Sequence, residues 1–415
     1  MKRWRLTSPV VAMAVALALA GAACGSDDNT TAGSSDTTGG AGRATITIAL
    51  GGPFSGADKA TGDNIRAGAA LAAAEVNDGG GIAGGPRQGA RIAFKEFDDA
   101  DTPANGASNM RTIVDDKDLV AFVGSGLSDV SVAMAPIASR EAFPFLSAYA
   151  SSEKILEAAK DAKTVFVVPP TFPAYAFSVT DELLRAGHTR PGILHATGTY
   201  GDGIAGLVVE RLGEKGVTPV GNESFTFADV DFRVQLAKIK DAGADSLVVV
   251  GLANIDALVL TQADELGLKV PFFDPGGITN NDTFIDAAGP LAEGVVGNTP
   301  TREARDTPAT RSLHDRYVAA TGQSVIPDPA VFAYEGVRAV AAAFAAGATG
   351  RADLATFLHR ISIDDTGVGP LRFGEDGSRL GGRLYVFRIA GGKPEFFRAY
   401  EQTGPKAIQE IPLTG

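Results

Sequence analysis

Cysteine is almost absent: the 415-residue chain has one, Cys24. A single thiol can form no internal disulfide, and without cysteine neighbours it builds no cage for zinc or an iron–sulfur cluster. Histidine is nearly as scarce. The four residues His188, His195, His314 and His359 have no ligand spacing among them, so neither a metal nor another cofactor is expected. Positive charge is short as well: 37 Lys and Arg stand against 49 Asp and Glu, a formal net charge of −12. With no basic stretch interleaved with aromatics, that balance excludes a nucleic-acid coat. Long hydrophobic runs are missing beyond the N-terminal region, where no stretch approaches the ~18 uncharged apolar residues that a membrane span needs.

What is present begins with a cationic start, Lys2, Arg3 and Arg5, followed by the apolar run "VVAMAVALALA" from Val10 to Ala20. That layout predicts a secretory signal over residues 1–23, too short to span a bilayer comfortably. Small residues, Gly21-Ala22-Ala23, stand directly before Cys24, and the stretch resembles a bacterial lipoprotein signal in which the cysteine is lipidated and becomes the new N-terminus. Gly21 occupies a place where that pattern prefers leucine, so ordinary secretory cleavage nearby is the alternative. Residues 24–43 continue in Ser, Thr, Gly and Asp. They offer too little apolar surface to offset the entropy of ordering, and are expected to be a flexible tether.

Apolar residues make up 45% of the chain and its length suggests two or three domains. After the tether, short β-branched runs alternate with amphipathic segments: "TITIAL", "RIAFKEFDD", "LVAFVGS" and "FPFLSAY" read as strands, with helices such as "NIRAGAALAAAEVNDGGG" between them. A second series runs from "PAYAFSVTDELLRAG" through "PGILHA", "SLVVVG" and "VPFFDPGG", with "TVFVVPPTFP" as a crossover. Such alternation predicts an α/β fold of two doubly wound lobes with parallel-rich sheets, and ligands of such sheets bind at the carboxyl ends of the strands.

Motifs of nucleotide and hydrolase chemistry fail on their context. Gly201-Asp202-Gly203-Ile204-Ala205-Gly206 fits G-x-G-x-x-G, but "TGTY" separates it from the preceding strand, where a dinucleotide fingerprint needs its first glycine. "GGPFSGADK" lacks P-loop spacing, and "VGSGLSD" is not a nucleophile elbow and has no evident histidine partner. Acidic pairs such as Asp98-Asp99 read as solvated charge at element ends. An enzyme is therefore not expected.

In order, "PFSGADKATGDNIRAGAALAAAEVNDGGGIAGG", "FKEFDDADTP", "FVGSGLSDVSVAMAPIASREAFPFLSAYASS", "TYGDGIAG", "DFRVQLAKIKDAGAD", "VPFFDPGG" and "TGVGPLRFGEDGSRLGG" resemble the extracytoplasmic solute-binding proteins of ABC importers for branched-chain amino acids and amides. The likeness runs from Ala44 to about Phe397. It implies a type I periplasmic-binding fold with three crossovers between its lobes: lobe 1 from 44–168 plus 300–383, lobe 2 from 169–299 plus 384–405, and a tail at 406–415. It further implies a monomer on the outer face of the cell membrane, held by the lipid on Cys24, that closes on a small solute and delivers it to ABC permease subunits.

The resemblance also places a ligand site. Ser128, with Ser125 and Asp129 beside it, and Tyr149, Ala150 and Ser151 would receive a carboxylate, and helix N-termini behind those loops favour an anion. Lobe 2 would add Tyr200 from its "Y-G-x-G" loop, with Asp274 and Gly276 from the loop in "FFDPGG". Amino-acid-binding members carry an acidic residue at the place of Gly276, and an aromatic at that of Ala253. Unless Asp274, Asp129 or Asp256 substitutes, an ammonium would go unpaired. A carboxylate-bearing amino acid or related amide or carboxylate is the expected ligand. A sensory module serving a membrane receptor, or an enzyme on the same lobes, are the alternatives.

Overall fold

The computed structural model describes residues 44–413 except 57, 161–162, 280–281, 302–307 and 324–325. The signal segment, Cys24 and the tether lie outside the described residues. Strands β1 (Thr45–Gly52), β2 (Arg91–Asp98), β3 (Leu119–Gly124), β4 (Phe145–Ser147) and β5 (Val165–Val167) form one sheet, ordered β2-β1-β3-β4-β5, with every pairing parallel. Parallel neighbours require crossover connections, supplied by α1 (Lys59–Asp78), α2 (Pro103–Asp115), α3 (Ser128–Arg140) and α4 (Lys154–Ala159). Every residue of β3, β4 and β5 is buried, as expected of strands covered on both faces.

The second lobe repeats the plan. Helix α5 (Phe172–Arg185) leads into β6 (Pro191–Ala196), α6 (Thr199–Glu214), β7 (Gly221–Phe225), α7 (Arg233–Asp241), β8 (Ser246–Val250), α8 (Ala253–Glu265), β9 (Phe272–Asp274), α9 (Asp282–Ala288) and β10 (Val296–Thr299). The strands β7-β6-β8-β9-β10 are mutually parallel. The chain then returns to the first lobe for α10 (Pro308–Thr321), α11 (Asp328–Ala345), α12 (Arg351–Leu358) and the small ribbon of β11 (Arg372–Phe373) and β12 (Arg379–Leu380). It ends in β13 (Arg383–Ala390), β14 (Lys393–Gly404) and β15 (Ala407–Ile411), which extend the second sheet antiparallel from β10.

Four local features differ from the sequence reading. "TVFVVPPTFP", expected as a bare crossover, contains β5, three residues paired to β4 before the prolines end the strand. The short helices α4 and α9 were not expected, since six or seven residues carry too little periodicity to register. Helix α6 begins at Thr199, so Tyr200 stands in a helical first turn and not in a loop. The 406–415 segment, expected as a tail, carries β15, whose pairing with β14 supplies the backbone hydrogen bonds.

The chain crosses between the lobes after Val168, after Thr299 and near Gly382. Arg379, fully buried, braces the first of these crossings. Its guanidinium meets the equally buried Glu335 of α11 at 2.5 Å and donates to the carbonyls of Val168 at 2.9 Å and Gly369 at 2.7 Å. The other Glu335 oxygen accepts from the Gly367 N–H at 2.8 Å. Gln402 of β14 ties the first and third crossings together: its side chain accepts from the Thr171 N–H and donates to the Thr171 hydroxyl, while its own N–H donates to the Gly382 carbonyl. Removing one partner of a buried ion pair leaves the other charge uncompensated, which costs about 3–5 kcal/mol. Glu335→Ala is accordingly expected to lower the unfolding free energy by about that much in urea titration, and a loss of under about 1 kcal/mol would show that the pair does not brace the crossings.

Candidate functional site

The carboxyl ends of the parallel strands in the two lobes bring several helix N-termini to one cleft. Helix α3 starts after Leu127, an N-cap residue with no side chain able to accept from the first amides. Those amides, together with the hydroxyl of Ser128, are open to an anion. Ser128 is 5% exposed and Ala150 3%, while Tyr149 and Ser151 are half-buried. The carbonyl of Ser151 accepts from the N–H of Phe172, tying the β4 loop to the start of α5. Ser125, Ser128, Tyr149, Ala150 and Ser151 thus come from two adjacent strand ends, those of β3 and β4. Ser125 is fully buried, and its hydroxyl partly offsets the burial that pushes the Asp99 carboxyl up to about 6.

Asp129, expected at the ligand, is engaged otherwise. Its carboxylate accepts from the Thr199 N–H at 3.1 Å and from the Thr199 hydroxyl, reaching across from lobe 1 to the first residue of α6 in lobe 2. Gly198, the N-cap of α6 at φ 102°, is where the carboxylate approaches; a Cβ there would lie 2.8 Å from Asp129 Oδ2. The contact is sound electrostatics: two helix N-termini, both positive ends of backbone dipoles, face each other and one carboxylate lies between them.

On the lobe 2 side, Tyr200 projects from the first turn of α6. Its hydroxyl donates toward the carbonyls of Gly251 at 3.2 Å and Gly276 at 3.4 Å, and its ring stands edge-on to Phe172 at 6.0 Å. A Cβ at Gly276 would overlap that hydroxyl, and one at Gly277 would lie 3.0 Å from the ring of Tyr175. A side chain at Gly276 would require the Tyr200 hydroxyl to move, and Gly277 combines a φ of 74° with the close approach of Tyr175. Asp274, expected to face the ligand, turns back into its own loop and accepts from the N–H groups of Gly276, Ile278 and Thr279 and from the Thr279 hydroxyl. A short strand that ends in a double-glycine turn needs such a carboxylate to take up its backbone donors.

Sequence reasoning missed Tyr175, Phe172 and Asp328. Asp328, at the start of α11, accepts from Thr299 and Thr301 at the second crossing. Burial pushes its carboxyl up to about 7, against those hydrogen bonds, and burial pushes Asp58 up to about 6. Burial, reinforced by the charge of Asp328, raises the phenols of Tyr149 and Tyr175; burial with the charges of Asp274 and Asp256 raises Tyr200. All three tyrosines are neutral at physiological pH and can donate hydrogen bonds. Phe172 and Tyr175 had one legible signal, their place just after the first crossing, whereas Asp328 stands far along the chain from any crossing and only the fold brings it to Thr299 and Thr301.

A charge-assisted hydrogen bond contributes about 1.5–3 kcal/mol. If the Asp129 contact holds the lobes together, Asp129→Ala will weaken every bound solute by a similar factor, about tenfold or more by calorimetry. A loss confined to one solute, or none at all, would remove Asp129 from closure.

Among the described residues no group of His, Cys, Asp or Glu is placed to hold a metal, and no helix is long and apolar enough to cross a membrane. Residues 45–393 match the family model described as "Periplasmic binding protein". The Leu/Ile/Val-binding protein homolog 3 of Brucella melitensis is 27% identical over 357 residues, 84% of this chain and 93% of that protein. Among solved structures, the branched-chain amino acid transporter substrate binding protein LivJ from Streptococcus pneumoniae, in complex with isoleucine, aligns with a TM-score of 0.74 at 22% identity, covering 88% of this chain and 99% of that one. A solute binding protein of an ABC transporter from Rhodopseudomonas palustris, in complex with 3,4-dihydroxybenzoic acid, aligns with a TM-score of 0.76 at 20% identity, covering 87% and 98%. The two parallel-rich α/β lobes, the three crossings between them and this match over most of the chain lead to one conclusion: the protein belongs to the periplasmic binding protein family and has its type I fold.

Proposed function

We propose that the chain is the solute receptor of an ABC importer: it captures a small carboxylate-bearing molecule between its lobes, closes on it and presents the closed form to a membrane permease. The observation that carries this reading is the set of open donors on lobe 1, the α3 amides with the hydroxyls of Ser128, Tyr149 and Ser151, at the end of the sheet where α3 meets α6 of the second lobe. Open donors suit an anion, and a solute that touches both lobes favours closure by its differential contacts. Isoleucine and 3,4-dihydroxybenzoic acid, the solutes of two structural neighbours, differ in size and in amino group but share a carboxylate.

Lipid attachment at Cys24 would tether the receptor to the outer face of the membrane, with residues 25–43 as the leash. A thermal-shift screen of small carboxylates is the first test, since a bound solute raises apparent stability by mass action. For a solute found in that way, Ser151→Ala is expected to cost roughly 1–3 kcal/mol of binding by calorimetry; an unchanged affinity removes Ser151 from the site. Cys24→Ser is expected to move the protein from the membrane fraction to the soluble one, and wild-type protein without thioether-linked lipid by mass spectrometry would refute the anchor.

A further inference from the structure

We infer that the solute carries a carboxylate and no cationic nitrogen, and that Tyr200 sets this selectivity. The inference rests on the proposed capture of a carboxylate in the cleft and adds what the opposite end of the solute must lack.

Its basis is which polar groups of the cleft remain open. Lobe 1 presents donors, the α3 amides and the hydroxyls of Ser128, Tyr149 and Ser151. An ammonium has three N–H donors and needs acceptors, and most acceptors near the cleft are engaged within the protein. The Tyr200 hydroxyl is shared by the carbonyls of Gly251 and Gly276. Four donors of its own loop surround Asp274. Asp129 is held by Thr199, Asp328 by the hydroxyls of Thr299 and Thr301, and Asp58 accepts from the Thr61 hydroxyl at 2.9 Å.

Asn298 and Asp256 are the exceptions: Asn298 is fully buried in β10, its partnerless Oδ1 set beside Gly277 and the Tyr175 ring, which leaves Asp256 to be placed. Both its oxygens lack a hydrogen-bond partner and it is fully buried. It lies beneath Gly251, so close that a Cβ on that glycine would overlap it, with the Phe225 ring 3.2 Å from the same point. The Tyr200 hydroxyl is bonded to the carbonyl of that same Gly251, so a ligand cation that paired with the fully buried carboxylate would have to disturb the tyrosine's contact. Aromatic rings gather beside these groups: Phe172, 2% exposed, packs edge-on against Tyr200, and Tyr175, 7% exposed, stands by Gly277. That wall suits an apolar or aromatic body behind the carboxylate.

The test uses pairs that differ only in the amino group: 4-methylpentanoate with L-leucine, 3-phenylpropanoate with L-phenylalanine, and phenylacetate with L-phenylglycine, titrated into the full chain by calorimetry. The acid without nitrogen is expected to bind about 100-fold tighter than its partner or more, since closed sites reject solutes whose polar groups go unpaired by factors of that size. Tyr200→Phe frees the two carbonyls and is expected to narrow the ratio about tenfold, a change that a merely structural role for the tyrosine would not produce. An amino acid that binds as tightly as its partner overturns the solute class while leaving carboxylate capture intact. A ratio unchanged in Tyr200→Phe overturns the role of the tyrosine. No binding in either series overturns carboxylate capture itself, and the inference with it.

Discussion

A guanidinium shut away from water sits where the two lobes join. Arg379 has no solvent exposure, and its charge is met by Glu335 and by the carbonyls of Val168 and Gly369. Desolvating such a charge is costly unless its partners are in place. The pair thus forces α11, the β12 ribbon and the first crossing into one arrangement, and this anchors the crossings to lobe 1. Gln402 binds lobe 2 to the same knot through Thr171 and Gly382. With the connections held at one edge, rotation about that edge is the motion that the proposed binding by closure would use.

The cleft that this hinge controls is asymmetric in polarity. Lobe 1 arrives with donors free, because Leu127 cannot cap α3 and, among the described residues, the hydroxyls of Ser128 and Ser151 have no partner. Lobe 2 arrives with the carbonyls of Gly251 and Gly276 and the carboxylate of Asp274 engaged, because Tyr200 donates toward the first two and Asp274 is turned into its own loop. Between the two rims, Asp129 links the starts of α3 and α6. In the proposed mode of binding, one lobe would recognise charge and the other would supply an aromatic wall, while the rim contact would add to closure without discriminating among solutes.

Much of this was legible in the sequence. Alternating β-branched and amphipathic segments gave the two α/β lobes, and the strand-end stretches "GSGLSD" and "SAYASS" led to the donor-bearing side. Tyr200 was legible as a cleft residue, though its place in a helical turn was not: "TGTYGDG" reads as a loop because glycine rarely helps a helix, and only the close passage of the Ala196 carbonyl under Gly201 explains its use there. The orientation of carboxylates could not be read at all. Asp129 and Asp274 look like ligand groups by type and position, yet each answers a local demand: one for backbone donors at a helix start across the cleft, the other for those of a glycine turn. Gly276 was visible as a missing acid, but that a tyrosine from another element fills its space is a fact of three dimensions.

Closure on a bound carboxylate is the claim on which the rest turns, and small-angle X-ray scattering tests it most directly. The radius of gyration should fall when the protein is saturated with a carboxylate that raises its melting temperature. The same radius with and without a tightly bound solute would contradict capture between closing lobes.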